Sequence, residues 1–407
     1  MNHRRRLTLA VVGTLALILF GPLFAAAQDA TPDASQGGVT VVASGLTNPR
    51  GFVWDEDGTM YLALAGTGLD TSAMPAGTGS PAAESEDAGA GTGSPVVEGV
   101  GEGGTTASLT AGVITIVDGC AMPVVEGWPS GGLPELGWVL GVSDLAFLDG
   151  QLYALVDLHG AGPVASHEEE VPNGVYRVED DGTMTLAADI SAWIQANPVA
   201  EPHEPLSPYG EPFAMIAGDG MLWIAEANHQ QVLTVTPDGT IARVADLSVL
   251  GNAAPDALAP APGGGVYVGL LTALPFTDGT AKVIEVAPDG TVSDIWTGLT
   301  AVTSIAVADD GTLYALEMAT GNSPDPPFYA PGTGKVVRQT GLDSAEEVVS
   351  GLTFPVKMKF GPDGGLYVGS PAVGANSGEG MIVRIDVSSA NVIAMADQAA
   401  TEDSCTS

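Results

Sequence analysis

The stretch DGTMYLALAG, residues 57–66, decides how this chain is read: an acidic-glycine turn, two residues, then an aromatic that opens an apolar strand. The pattern returns as DGQLYALVD (149–157), DGMLWIAEA (219–227), GGGVYVGLL (263–271), DGTLYALEM (310–318) and DGGLYVGSP (363–371). Between the aromatics Tyr61, Tyr153, Trp223, Tyr267, Tyr314 and Tyr367 the steps are 92, 70, 44, 47 and 53 residues. The last three have the length of a propeller blade, and the first two read as a blade plus an insertion.

Each aromatic marks the second strand of a four-stranded antiparallel unit. Around Tyr314 the strands read TSIAVA (303–308), TLYALEM (312–318), KVVRQT (335–340) and EEVVSG (346–351). The last unit ends in GMIVRIDV (380–387) and lacks a fourth strand, whereas VTVVAS (39–44) is a strand without a unit. Pairing the two closes a ring and removes open sheet edges. The fold expected is therefore all-β, a six-bladed β-propeller closed by the N-terminal strand joining the last blade.

The chain begins with Arg4-Arg5-Arg6, an apolar run from Leu7 to Phe24 and Ala25-Ala26-Ala27, the pattern of a cleaved secretory signal. The expected division is a signal peptide over 1–27, a flexible linker over 28–38, the propeller over 39–389 and a tail over 390–407. Twelve basic residues less the three signal arginines leave 9 against 49 acids, a formal charge of −40 after cleavage. Such a surface disfavours nucleic acid and anionic membranes as partners. A secreted, extracytoplasmic monomer, free of the membrane once cleaved, is expected. Cys120 and Cys405 are its two cysteines, and in an exported chain such a pair reads as a disulfide. Cys120 lies in the turn between the third and fourth strands of the first unit, and Cys405 in the tail of the last, so the bridge would staple the closure.

The turns joining first to second strands are short. Longer segments (66–111, 127–139, 158–173, 195–211, 271–280, 319–334 and 371–379) fall between second and third strands or between units, which places them on one face. Binding sites sit preferentially on such loops. Within the longest, AGTGSP occurs twice (76–81 and 90–95), and a disordered low-complexity insertion is expected over 67–110. GVGEGG (99–104) matches a dinucleotide fingerprint formally, but has neither the preceding strand nor the following helix that such a site needs. The loop face also carries Trp128, Trp138, Tyr209, Phe276, Phe328 and Tyr329, aromatic anchors suited to a ligand or partner.

Three long stretches, SPYGEPFAMIAGDGMLWIAEANHQQVLTVTPDGTIARVADL (207–247), PDALAPAPGGGVYVGLLTALPFTDGTAKVIEV (255–286) and GLTFPVKMKFGPDGGLYVGS (351–370), resemble the ScyD/ScyE family of exported propellers. WIAEANHQQVLTVTPDGT also resembles the NHL-type repeat. The resemblance spans about residues 39–387 and implies a secreted six-bladed propeller without implying a particular reaction.

Counting back from the aromatics, the residues that begin each first strand and line a central channel are Asn48, Arg50, Ser143, Asp144, Glu211, Asp256, Thr303, Ser304 and Lys357. Asp144, Glu211 and Asp256 are the candidate metal ligands, for a hard cation such as Ca²⁺. The competing reading has these side chains bonded to neighbouring backbone. Glu226, Asn228 and His229 follow one second strand and Glu317 another; they are expected either to hold the adjacent loops or to contribute to a site. The lactonase-like and strictosidine synthase-like propellers use the same axis, but Arg50-Gly51 stands where the lactonase-like group has a metal-binding Glu. No hydrolase or zinc motif is present: G-x-S-x-G is absent, and His167 lacks the second histidine of H-E-x-x-H. The preferred expectation is a binding or scaffold module for a small ligand or an extracytoplasmic protein. The alternative is a Ca²⁺-assisted hydrolase or lactonase-like enzyme using the channel acids.

Overall fold

The computed structural model describes residues 35–36, 38–68, 108–133, 138–158, 171–203, 207, 209–251, 253–325, 328–372, 378–388 and 393–395. Strands β1 (Ser35–Gln36) and β2 (Val39–Leu46) open the chain. β3 (Pro49–Trp54), β4 (Met60–Leu64), β5 (Ser108–Val117) and β6 (Cys120–Leu133) follow. β7 (Trp138–Leu148), β8 (Gln151–Asp157), β9 (Gly174–Val178) and β10 (Met184–Asp189) lead into helix α1 (Ile190–Ala196). Two four-stranded sheets come next: β11 (Pro212–Gly218), β12 (Met221–Glu226), β13 (Gln231–Val235) and β14 (Ile241–Asp246), then β15 (Pro255–Pro260), β16 (Val266–Leu270), β17 (Ala281–Val286) and β18 (Val292–Leu299). β19 (Val302–Val307), β20 (Leu313–Glu317), β21 (Gly334–Gly341) and β22 (Ser344–Leu352) precede β23 (Lys357–Phe360), β24 (Leu366–Gly369), β25 (Gly380–Ile385) and β26 (Ile393–Ala394).

The arrangement is an all-β propeller. Strands β3, β7, β11, β15, β19 and β23 touch one another in that order, and β23 returns to β3. The N-terminal closure is as the sequence suggested: β2 pairs antiparallel with β25, with Val39 opposite Ile385 and Val41 opposite Val383.

Two causes fix the strands locally. Two-residue turns such as Asp149-Gly150 and Asp219-Gly220 have φ of 51° and 79°, and 52° and 73°. Both residues are left-handed, which matches the twist of a tight hairpin and which Asp-Gly adopts readily. Burial then separates the strands by position: β12 and β20 are buried along their length, because neighbouring sheets cover both faces. β10 and β14 alternate with exposed residues at the rim. Apolar layers fill the spaces between successive sheets. Leu155, Leu222, Ile224 and Leu233 share one of them, and Trp296, completely buried, sits in another with Val283, Val302 and Ala315.

Four sequence expectations change. The strands fall into five sheets among the described residues, because β6 runs on to Leu133 and pairs with β7. Gly131–Leu133 thus pair with Trp138–Leu140 and join two units into one eight-stranded sheet. The linker over 28–38 includes β1, which pairs with β2. The insertion expected from 67 is narrower at its far end, since Ser108–Val117 pairs with β4. The tail contributes β26, which lies parallel to β22 through Val349 opposite Ile393. Tail and closure strand both gain an apolar contact this way, as Ile393 packs in the layer holding Val39 and Val349.

Residues 68 and 108 are already joined by a backbone hydrogen bond from Ser108 N to Gly68 O at 3.2 Å. Thr67, Ser108 and Thr110 hydroxyls lie 2.8–3.1 Å apart beside them. Replacing residues 69–107 with a short Gly-Ser link is therefore expected to leave the melting temperature within about 2 °C of the parent, because loop closure costs little at this junction. Thermal unfolding by circular dichroism checks it, and a large drop would show that the segment packs on the ring.

Candidate functional site at the propeller axis

The ring brings the inner edges of its sheets together, and those edges carry backbone groups with no strand to pair with. The pairing register shows how the edges are handled. Between first and second strands the ladder skips a residue at Ser143, Phe213, Asp256 and Thr303, and skips both Arg50 and Gly51 in the first unit. A bulge of this kind re-aims a side chain. Ahead of four of the first strands, Asn48, Ala254, Ala301 and Phe354 have φ of 47°, 34°, 44° and 41°, uncommon for such residues. Each carbonyl there accepts an N–H from the end of its unit's second strand: Ala65, Leu271, Met318 and Ala372, at 3.0–3.1 Å.

The re-aimed side chains satisfy the neighbouring edges. Ser143 Oγ lies 3.2 Å from Leu155 O and Pro212 O, and Thr303 Oγ1 donates to Pro355 O at 3.2 Å. Arg50, 3% exposed, donates from Nη2 to Val139 O at 2.7 Å and from Nη1 to Ala372 O. Asp144 accepts from Leu145 N at 2.9 Å and, in the next sheet, from Met215 N at 3.0 Å. Lys357 Nζ lies 3.2 Å from Asp144 Oδ2, donates to Phe213 O at 2.9 Å and sits 4.6 Å from the Phe213 ring centroid. This ion pair joins β23 to β7 past β3, which lies between them. It passes there because Gly51 has no side chain: a Cβ at that position would meet Asp144 Oδ1 at 1.8 Å.

Beneath the pair is a cavity of about 40 Å³ reached by Gly51, Asp144, Met215, Ser304, Lys357 and Lys359. Of the sequence candidates, Asp144, Ser304 and Lys357 line this cavity, and Arg50, Asp256 and Glu211 lie outside its lining, with Asp256 coupled electrostatically to Lys357, Glu211 and Arg50. Asn48 instead donates from Nδ2 to Gly66 O at 2.9 Å. Glu226, completely buried, accepts from the backbone of Glu211, Asn228 and His229 and from Gln231 Nε2. His229 Nε2 lies 2.8 Å from Ser207 O. Glu317 accepts from Thr300 N at 2.7 Å and pairs with Lys335 at 3.3 Å. These three residues hold loops and do not line the cavity. Sequence reading missed Gly51, Phe213 and Lys359; the spacing of Lys357 and Lys359 in KMKF, two apart on one strand face, was the signal for the last.

Electrostatics set the axis residues apart. Burial pulls Arg50 down to about 10 against the opposing pull of Asp256 and Asp157. Burial pushes Asp256, 4% exposed, up to about 7; Lys357 and Arg50 oppose the rise and Glu211 adds to it. Among the described residues no group of three or more His, Cys, Asp or Glu is placed to hold a metal ion. Asp144, the acid best centred for one, has its oxygens engaged by Lys357 and two amides.

On the loop-rich face, Tyr329 stands between Phe276 and Phe354 at ring separations of 5.8 and 5.4 Å. Asp278 accepts from Gly321 N and Asn322 N, and Asn322 Nδ2 donates to Phe276 O, so the loops around 271–280 and 319–325 are tied together. Trp128 packs edge-on against Tyr176 at 5.1 Å. His159, His167, residues 99–104, Glu204 and Cys405 lie outside the described residues, as does the side chain of Trp138.

No protein-family model matches this sequence, and no curated protein matches it either. Among solved structures the chain is similar to an oxidoreductase (glucose dehydrogenase) candidate from Thermus thermophilus, with TM-score 0.50, 15% identity and coverage of 85% of this chain and 99% of that one. It is also similar to the aldose sugar dehydrogenase of Streptomyces coelicolor in its PQQ-bound form (TM-score 0.49, 12% identity, 86% and 99% covered). A gluconolactonase from Xanthomonas campestris gives TM-score 0.48 at 12% identity, with 86% and 89% covered. At these identities the likeness is one of propeller fold, and a fold shared by many chemistries assigns none of them.

Asp256 yields a pH prediction. Its folded pKa lies above the ordinary carboxylate value near 3.9, so the folded chain binds an extra proton between about pH 4 and 7. Its contribution to stability is present at low pH and lost as pH rises through 7. Asp256→Asn is therefore expected to match the parent at pH 4.5 and to be more stable at pH 8 by on the order of 2–4 kcal/mol. Denaturant unfolding at both pH values checks it; equal differences at the two would show that Asp256 carries no such burden.

Proposed function

We propose that the protein is an exported six-bladed propeller that binds a small ligand or an extracytoplasmic protein on its loop-rich face and catalyses no reaction at its axis. The observation that carries this reading is the use of the axis charges within the ring. Asp144 and Lys357 bond to each other and to edge backbone, and Arg50 bonds to two carbonyls, so the groups an axial enzyme would turn on a substrate are already engaged. The axial cavity, about 40 Å³, has room for a few waters. On the loop face, by contrast, Tyr329 and its neighbours form an aromatic group on cross-tied loops. Aromatic anchors held on a rigid support lose little freedom on binding.

The count of six blades divides the eight-stranded sheet at the β6–β7 junction, and is supported by the cyclic contact order of the six first strands. Kinship with the ScyD/ScyE propellers, cleavage after Ala27, a monomeric state and a Cys120–Cys405 bridge belong to the same proposal. The acidic surface suits an extracytoplasmic partner that is neutral or cationic.

The test is calorimetric titration of the chelator-treated secreted protein with Ca²⁺, run beside turnover assays on aldonolactones and aryl esters. Weak binding to many sites, the same in a Glu211→Ala, Asp256→Ala double variant, and no turnover are expected. One tight site lost in that variant, with hydrolysis lost alongside it, would overturn the proposal in favour of a Ca²⁺-assisted lactonase-like enzyme.

A further inference from the structure

Setting aside the three signal arginines, nine basic residues remain in the chain, and three of them, Arg50, Lys357 and Lys359, are at or beside the axis. The others lie elsewhere. Arg177, Lys282, Lys335, Arg338 and Arg384 each pair with a carboxylate, and Arg243 lies over Trp193. Lys359 differs from all of these. It forms no ion pair among the described residues, and its hydrogen bond is to Phe52 O at 3.4 Å, near the limit of such contacts.

Lys357 and Lys359 are two residues apart on β23 and both line the same cavity. The remaining lining is short of charge to balance them. Asp144 is the one carboxylate there, and its oxygens already accept from Lys357, Leu145 N and Met215 N. Ser304 and Met358 satisfy each other through Oγ to Met358 O and Met358 N to Oγ, both 3.1 Å. Phe52, Ala214, Ile216, Leu258 and Ile305 make up most of the other walls. Asp256 acts on Lys357 and Arg50 from outside this lining, so Lys359 is the ammonium left without a paired carboxylate, and in apolar surroundings such a charge is costly without a counter-ion.

We propose that the axial cavity between Lys357 and Lys359 binds a small monovalent anion of about chloride size. The volume sets the ligand class. About 40 Å³ exceeds the ~10–15 Å³ that one water-sized sphere needs, so an ion of that size fits with a water or two. Burial and the neighbouring Lys357 hold the Lys359 ammonium below its usual pKa, with Asp144 opposing, and an anion beside it would lift that penalty. The site lies inside the ring, apart from the loop-rich face, so it acts as an axial plug that steadies the first strands whatever binds outside.

The experiment uses the whole secreted chain. Melting is followed in sodium chloride and in sodium isethionate, whose anion is too large for the cavity, at one fixed ionic strength so that screening of the acidic surface is equal. Chloride is expected to raise the melting temperature saturably by about 3 °C over isethionate. Lys359→Met should abolish that difference, and Lys282→Met, on the blade surface, should retain it. Crystals of the parent protein grown with sodium bromide should show an anomalous peak between Lys357 Nζ and Lys359 Nζ. Equal melting in the two salts, or no axial bromide peak, would overturn the proposal and assign the cavity to water alone. The bromide measurement decides the matter even if Lys359→Met does not fold.

Discussion

The structure depends on how the inner edges of the sheets are satisfied. Strands radiating from one axis cannot pair with their neighbours' edges through backbone alone, because each sheet twists away from the next. The backbone groups facing the axis must then find side chains, since an unpaired buried N–H or C=O costs about as much as a lost hydrogen bond. In this chain side chains at and beside the bulges near the start of five of the six first strands supply them. Ser143 and Thr303 reach a neighbour's carbonyl, Arg50 reaches two, and Asp144 reaches the amide of Met215. The axis is thus stitched by polar side chains where the spaces between sheets are filled by apolar ones.

That arrangement bears on function through what it uses up. A buried carboxylate with three donors is poorly placed to hold a metal, and a buried lysine with two acceptors is poorly placed to turn toward a substrate. The polar axis has the outward character of an active site and the bonding of a scaffold. Asp256 is the exception, a buried carboxyl raised to about 7 by that burial. It is the residue on which an enzymatic reading would have to rest.

Much of this was legible in the sequence, for reasons that can be stated. The aromatic after each turn repeats at the start of every second strand, buried at Tyr153, Trp223 and Tyr314 and half-buried at Tyr61, Tyr267 and Tyr367. The closure was legible because VTVVAS had no unit and GMIVRIDV had no fourth strand. The axis was readable only in part, because counting from an aromatic finds the start of a strand but not its bulge. Asp256 and Phe213 occupy equivalent bulges and share no chemistry, so no residue pattern announces the position. Gly51 reads as one more turn glycine until the Asp144 carboxylate is seen to lie where its Cβ would be. The joining of β6 to β7 was hidden because WPSGGL looks like a loop, and its pairing is set by the partner strand. Glu226 and Glu317 carried the right chemistry for a site, and only their bonding partners show that they hold loops.

The central claim is that the axis is held by a charge pair acting across the ring between Asp144 and Lys357. A double-mutant cycle on the unfolding free energy, using Asp144→Asn, Lys357→Met and the two together, measures that coupling directly. The account predicts a favourable coupling of about 2 kcal/mol or more, since each single change strands the partner in a buried setting. A coupling near zero would contradict it, and would mean that the two residues serve their own backbone partners and that the axis is held by the bulges alone.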